Sequence, residues 1–368
     1  MNIPAQSNAI VMTLDAGGTN FVFSAIQNGN EIVRPVHQPA NAHDLTLCLE
    51  GMIGGFRAVV SQLGRPADAI SFAFPGPADY KNGIIGDLGN LPAFRGGVAL
   101  GPMLEQLFGI PVFINNDGDL FALGEASYGF LPWLNEVLRE AGQPKRYANL
   151  IGVTLGTGFG GGMVAAGKLL EGDTDAAGEV WLLRNGINPK TYAEENTCAR
   201  ALVRGYNHRS GKTLALQAFD IYQIATGAAN GDKQAALDAF DELGQALGEA
   251  LADMITIVDG PVVIGGGLAA SWKLFFPAML KRLNGIYEEP AQSKVRRLES
   301  SVFGLENPTD LHAFLNSSSP RMIAVPFTDQ TVRYDPVKKL GVGVSKLGTS
   351  RAVALGAYTF ALQKLIDQ

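Results

Sequence analysis

The chain has 368 residues, enough for two domains or lobes at roughly 100–200 residues each. Hydrophobic residues make up 46% and charged residues 17%, which allows large cores and excludes a disordered chain. The formal net charge of −6 argues against a nucleic-acid binder, which would carry a basic face.

In chain order, Ala9 to Leu14 reads as a buried strand ending at Asp15. Ala16-Gly17-Gly18-Thr19-Asn20 turns the chain, and Phe21 to Ile26 returns as a second strand with the hairpin signal Asn28-Gly29 beyond it. Asp15 can hold a hydrated Mg²⁺ or a phosphate-bound water, and Gly17, Gly18 and Thr19 can donate N–H and hydroxyl groups to phosphate. The plainer alternative is an ordinary glycine hairpin. Residues 44–63 have the apolar spacing of an amphipathic helix, and Ile70 to Phe74 follow as a strand. Asn90 lies in a glycine-rich loop, and Leu100 to Phe108 reads as a helix.

The stretch from Val112 to Glu125 is the pivot of the chain. An apolar strand, Val112 to Ile114, runs into Asn115-Asn116-Asp117 and then into a helix for which Asp117 is the expected N-cap. Polar groups at a strand end beside a helix start are where α/β proteins place sites. There Asp117 can accept a proton from a substrate hydroxyl while Asn116 hydrogen-bonds a second one. The competing reading is a helix cap and turn without chemistry.

Residues 130–148 read as a surface excursion. Leu150 to Leu155 is a strand, Gly156 to Gly162 a turn, and Met163 to Ala166 a further strand. Gly156, Gly158 and Gly161 match G-x-G-x-x-G, but a dinucleotide unit needs a helix after the glycines, and a strand pattern follows. A second phosphate-gripping turn remains. Ala177-Gly178-Glu179 supplies an acid that can meet sugar hydroxyls or be a solvated loop glutamate. Gly211-Lys212-Thr213 imitates the end of a P-loop, with Gly205 at the wrong spacing and no strand before it. Lys233 to Val258 is the longest helix. Val262 to Ile264 is a strand, Gly265-Gly266-Gly267 a turn against which a flat adenine or ribose can lie, and Leu268 to Leu283 a helix. Residues 290–349 are less regular, with Met322–Val325 and Val332–Tyr334 able to pair. The chain closes on a helix, Ser350 to Leu365, long enough to pack on the first lobe.

Cys48 and Cys198 are the only cysteines, too few for a disulfide framework or a cysteine-built zinc site. The sequence opens without a basic region followed by an apolar run, and no apolar stretch reaches ~18 residues. A cytoplasmic protein without membrane span is the expectation.

Five motifs occur here in one order: Asp15-Ala-Gly-Gly-Thr-Asn20, Asn115-Asn-Asp-Gly-Asp119 with Gly124-Glu125, Leu155-Gly-Thr-Gly158, Ala177-Gly-Glu179 and Ile264-Gly-Gly-Gly267. Together they resemble the ROK family of sugar kinases and sugar-responsive repressors, within the actin/hexokinase/Hsp70 superfamily, over about residues 9–285 plus the last helix. The resemblance implies an α/β fold of two ribonuclease-H-like lobes with ATP and sugar in an interlobe cleft. The expected lobes are 1–116 plus 350–368, and 117–349 with an irregular insertion at about 290–349. It implies Asp117 as catalytic base, with Asn90, Asn116, Asp117 and Glu179 on the sugar. Asp15, Gly17, Gly18, Thr19 and Asn20 would form the first phosphate motif, and Thr154, Gly156, Thr157 and Gly158 the second. Gly265 and Gly266 would meet the adenosine.

The implied cofactors are ATP and Mg²⁺, the metal travelling with ATP and touching Asp15, with no protein-held metal. The implied partners are the sugar and ATP in a homodimer, with neither nucleic acid nor membrane. Three departures stand out. Val180-Trp181 replaces the Gly-His that often follows the acid in the family. The cysteine-rich zinc motif is absent, and no helix-turn-helix stands between Met1 and Asp15, so the expectation is a kinase rather than a member of the repressor branch. The implied function is ATP-dependent phosphorylation of a hexose or N-acetylhexosamine hydroxyl; the alternative is a non-catalytic sugar- or nucleotide-binding regulator of the same fold.

Overall fold

The computed structural model describes residues 8–367 apart from 18, 77, 87–91 and 290–293. The chain begins with β1 (Val11–Ala16), β2 (Asn20–Gln27), β3 (Asn30–Glu31) and β4 (Val36–Pro39), then α1 (Leu45–Val60) and β5 (Ala69–Ala73). Asp44 caps α1 by accepting from the Leu47 amide at 3.0 Å. A small hairpin, β6 (Ile84–Ile85) with β7 (Val98–Ala99), leads into α2 (Leu100–Phe108), which ends on left-handed Gly109. β8 (Val112–Asn115) and α3 (Asp117–Ser127) follow. The first sheet has the order β3-β2-β1-β5-β8, with β4 pairing β2. β1 and β2 are antiparallel, while β1, β5 and β8 run parallel. Beneath it Phe23, Phe56 and Phe72 build an aromatic core with α1, Phe23 and Phe56 edge to face at 5.0 Å.

Residues 130–148 are not a surface excursion. Phe130–Glu140 forms α4, and Phe130, Leu134 and Leu138 are fully buried along it, a helical spacing hidden by the charged residues between them. Next come β9 (Leu150–Leu155) and the antiparallel hairpin β10 (Phe159–Ala165) with β11 (Lys168–Leu169). The helices α5 (Glu194–Thr197), α6 (Ala199–Ser210), α7 (Ala218–Thr226) and α8 (Lys233–Val258) precede β12 (Val262–Gly265). Gly211 of the false P-loop is simply the left-handed stop of α6. After β12 one short 3₁₀ turn, Gly267–Ser271, precedes α9 (Trp272–Leu283), so the helix starts later than its apolar pattern suggests.

The remaining elements are β13 (Ile286–Tyr287), β14 (Val295–Arg296), β15 (Ser301–Gly304), α10 (Pro308–Asn316), β16 (Arg321–Ala324), β17 (Thr331–Tyr334), β18 (Lys339–Val344) and α11 (Thr349–Asp367). The described part of 290–349 is therefore not an irregular insertion: β15 and β18 are parallel neighbours in the order β9-β12-β18-β15. Glycines at alternate positions of Lys339-Leu-Gly-Val-Gly-Val344 weaken its strand pattern in the sequence. The β16–β17 pairing matches its expectation.

Two compact units emerge, Met1–Pro132 with Gly160–Glu179 and Lys346–Gln368, and Trp133–Phe159 with Val180–Ser345. Their bounds place 117–132 and 160–179 with the first unit rather than the second. In connectivity, β9, β12 and β18 correspond to β1, β5 and β8, and the hairpin β10–β11 to β2–β3. This duplication is the ribonuclease-H-like pattern of the actin-type ATPases. The last helix packs within the first unit, where Tyr358 accepts from the Asn28 amide at 3.0 Å. Among the described residues no helix is long and apolar enough to cross a membrane.

Candidate active site

In the first unit the site grows from the junction of β8 and α3. Asn116, not Asp117, is the N-cap: its side chain accepts from the Asp119 amide at 2.7 Å. Asn115 folds over this junction, its Oδ1 accepting from the Asn116 amide at 2.7 Å. Asp117 is thereby released from capping. It is the first helical residue, and its carboxylate accepts the neighbouring Gly118 amide at 2.9 Å. Its side chain reaches solvent, yet the protein packed around it disfavours the charge and raises its pKa, against the lowering effect of the Gly118 amide. A carboxylate with raised proton affinity at a helix start suits a general base.

The helix start is seated on β10. A Cβ at Gly118 would stand 2.6 Å from the Gly161 carbonyl oxygen, and one at Gly162 would stand 2.6 Å from the Cα of Asp119. This corrects the reading of 156–162 as one turn. Only 156–158 turns the chain, whereas Gly160 to Gly162 lie in β10 and are small because α3 rests on them.

Asp119, which sequence reasoning passed over, is 3% exposed. Its Oδ2 accepts from Asn116 Nδ2 at 3.2 Å, and its Oδ1 is buried without a hydrogen-bond partner among the described residues. Burial first, then the charges of Glu179, Glu171, Asp117 and Asp175, hold its carboxyl well above the usual carboxylate range. Glu179 is thus brought to the same cluster, half-buried beside Gly178. Tyr80 joins it, its hydroxyl donating to the Phe74 carbonyl at 2.9 Å; burial, then Asp117 and Glu179, push that hydroxyl upward. The signal for Asp119 was present as Asn116-x-x-Asp119, the spacing of a capping box. Trp181 packs edge-on to Tyr192 at 5.6 Å.

Within the same unit, Asp15 is exposed near the end of β1, with Gly17, Thr19 and Asn20 also exposed on the turn into β2. A Cβ at Gly17 would lie 2.8 Å from the Asn20 carbonyl, so the turn closes tightly. Gly18 and Asn90 lie outside the described residues. Among the described residues no group of three or more His, Cys, Asp or Glu side chains is arranged to hold a metal.

The other glycine-rich motifs meet in the second unit. Thr154 pairs with Gly265 where β9 and β12 run side by side. The turn is braced: Gly156 N donates to the Gly158 carbonyl at 3.0 Å, and the Phe159 amide donates to Glu194 at 2.9 Å. The amides of Thr157 and Gly158 have no partner among the described residues, and nothing stands within 4 Å of a Cβ at Gly156. Unfilled N–H groups on an open glycine turn are what a phosphate needs. Gly266 has φ +83°, and a Cβ there would stand 2.2 Å from the Leu155 carbonyl oxygen. Only glycine fits that crossing. Gly265 is buried in β12 and Gly266 half-buried, while Gly267 is exposed.

The ROK family model matches residues 11–309. The chain belongs to the ROK family. It is 52% identical to a glucokinase of Parabacteroides distasonis, whose structure superposes with a TM-score of 0.88 over 98% of this chain and 99% of that one. It is 29% identical over 281 residues to the N-acetyl-D-glucosamine kinase of Vibrio cholerae, covering 73% of this chain and 87% of that one. A ROK family glucokinase of Streptomyces griseus, solved with glucose and AMPPNP, shares the fold at 19% identity and a TM-score of 0.56, covering 95% and 98%.

Proposed function

We propose that this chain is an ATP-dependent carbohydrate kinase that phosphorylates a hydroxyl of a hexose or N-acetylhexosamine, with Asp117 as its general base. The kinase class follows from family membership and from the likeness to the P. distasonis glucokinase and the V. cholerae N-acetyl-D-glucosamine kinase. The observation that carries the assignment of Asp117 is its release from capping by Asn116: its carboxylate is left facing solvent, with raised proton affinity, at the start of α3. It takes the proton of the attacking hydroxyl, while Asn116 and Glu179 hold other hydroxyls of the same sugar.

The Thr157 and Gly158 amides and the turn at Asp15–Asn20 hold the phosphates of ATP, and Gly265–Gly266 lie against its adenosine. Phosphoryl transfer depends on positioning and on spreading the developing charge, which backbone N–H groups supply. Mg²⁺ bound with ATP neutralises phosphate charge; the exposed carboxylate of Asp15 beside that turn is of the right hard-oxygen type to meet it or its water shell. We place the enzyme in the cytoplasm as a homodimer, the second of which sedimentation tests. The deciding experiment is a coupled ADP-release assay against glucose, mannose, fructose, N-acetylglucosamine and N-acetylmannosamine. Sugar-dependent ADP release that needs Mg²⁺ is expected. Binding of sugar or nucleotide with no turnover on any of them overturns the reading in favour of a regulator.

A further inference from the structure

The cluster beside Asp117 contains a carboxyl group that the proposed chemistry does not use. Asp119 is almost wholly enclosed, yet it bonds the Asn116 amide from both ends: its backbone N–H donates to Asn116 Oδ1 at 2.7 Å, and its Oδ2 accepts from Asn116 Nδ2 at 3.2 Å. In an ordinary capping box the acid three residues on reaches back to the cap's backbone N–H. Here that N–H is taken by Asn115 Oδ1, so Asp119 turns to the cap's side chain instead. Among the described residues, the amide of Asn116 is left with one orientation and one Nδ2 proton still to give.

The surroundings of Asp119 also decide its form. Asp117 lies on its own helix, Glu171, Asp175 and Glu179 on the segment after β11, and Tyr80 on the turn after β5. Of the cations nearby, Lys364 pairs with Glu171 at 2.9 Å, and Asp175 accepts the backbone N–H of Lys81 at 2.9 Å. Backbone closes on Oδ1 from two sides, where a Cβ at Gly162 or Gly178 would stand 2.9 or 3.2 Å away. An ionised oxygen enclosed there without a donor would be expensive.

We propose that Asp119 is a positioning residue which, as an uncharged acid, locks the Asn116 amide so that its free N–H meets a sugar hydroxyl. This inference rests on the proposed role of Asn116 as a sugar ligand. It predicts that the acceptor oxygen is required and the negative charge is not.

The test compares D119L, which keeps the bulk and removes the acceptor, with D119N, which keeps an acceptor and cannot ionise. Both retain the backbone N–H that Asn116 caps. D119L is expected to raise the sugar KM about tenfold, the equivalent of one good hydrogen bond, with the ATP KM within about twofold. D119N is expected to rescue the sugar KM to within about threefold of wild type. If D119L does not fold, D119A replaces it in the same comparison. A D119N chain as impaired as D119L would overturn the uncharged role. Sugar and ATP KM rising together in D119L would reduce Asp119 to a structural part and overturn the positioning role. The two readings fail separately: a wild-type chain without turnover sinks the kinase, whereas a working kinase whose sugar KM ignores D119L sinks only this inference.

Discussion

Gly124 of α3 and Gly356 of α11 meet where the two helices cross, so closely that neither has room for a methyl group. A Cβ on Gly124 would stand 1.8 Å from the Ala352 carbonyl oxygen, and one on Gly356 would stand 1.8 Å from that of Leu120. The contact is backbone on backbone, so rotamer changes cannot relieve it. Through this crossing the final helix holds α3, and with it the Asp117 end, in place. G356A must push the helices apart, and a destabilisation of about 3 kcal/mol or more is expected, at the upper end of overpacking costs. Denaturant unfolding measures it. A loss under about 1 kcal/mol would show that the crossing tolerates a methyl group.

Asp119 makes stability depend on pH in a particular direction. Its pKa is raised in the fold above the unfolded value of about 4, so between the two the native state binds more protons than the unfolded one. Stability from this group is therefore intact at or below about pH 4 and declines as pH rises through that window. D119N has no such group to lose. Its Tm relative to wild type is expected to rise as pH climbs above about 4, and a difference that stays constant as pH rises from there would contradict the assignment.

Gly158 tests the second phosphate turn. A Cβ there would stand 2.6 Å from Glu194 Oε2, the carboxylate that holds the Phe159 amide and pairs with Arg200 at 2.7 Å. G158A should displace that brace and turn the amides away from the nucleotide. The ATP KM should rise roughly tenfold, as for one lost hydrogen bond, with the sugar KM little changed. Equal effects on both ligands would remove the turn from the nucleotide site.

Much of this was legible in the sequence because the site sits on strand ends and glycine turns, which punctuate a chain locally. Asp15, Asn116, Asp117 and the turn at 156–158 all stand at such junctions. What escaped reading depends on distant partners. Gly160 to Gly162 look like part of a turn until α3 is seen resting on them. Asp117 looks as good a cap as Asn116, and only the bond to the Asp119 amide separates them. The strand β18 carries two glycines and is held by its parallel neighbours β12 and β15 rather than by its own propensity.

The cysteines make zinc content a further check on the expected absence of a cysteine-built zinc site. Cys48 and Cys198 are both buried, in different units, and burial raises both thiols, Cys48 to about 11. A thiol held protonated is a poor ligand. Elemental analysis of the purified chain should find well under one zinc per molecule; one equivalent surviving dialysis against a chelator would refute the expectation.

The central claim is that Asp117 removes the proton from the sugar hydroxyl, and its most direct test is turnover by D117N with ligand binding followed by calorimetry. Asparagine keeps the shape and an acceptor oxygen for the Gly118 amide, and Asn116 still caps the helix, so the fold should persist. The amide cannot take a proton near neutral pH. The account predicts a fall in kcat of about 10²–10⁴-fold, with sugar and ATP still bound at close to wild-type affinity. Turnover within a few-fold of wild type, with both ligands bound, would contradict it and move the base elsewhere.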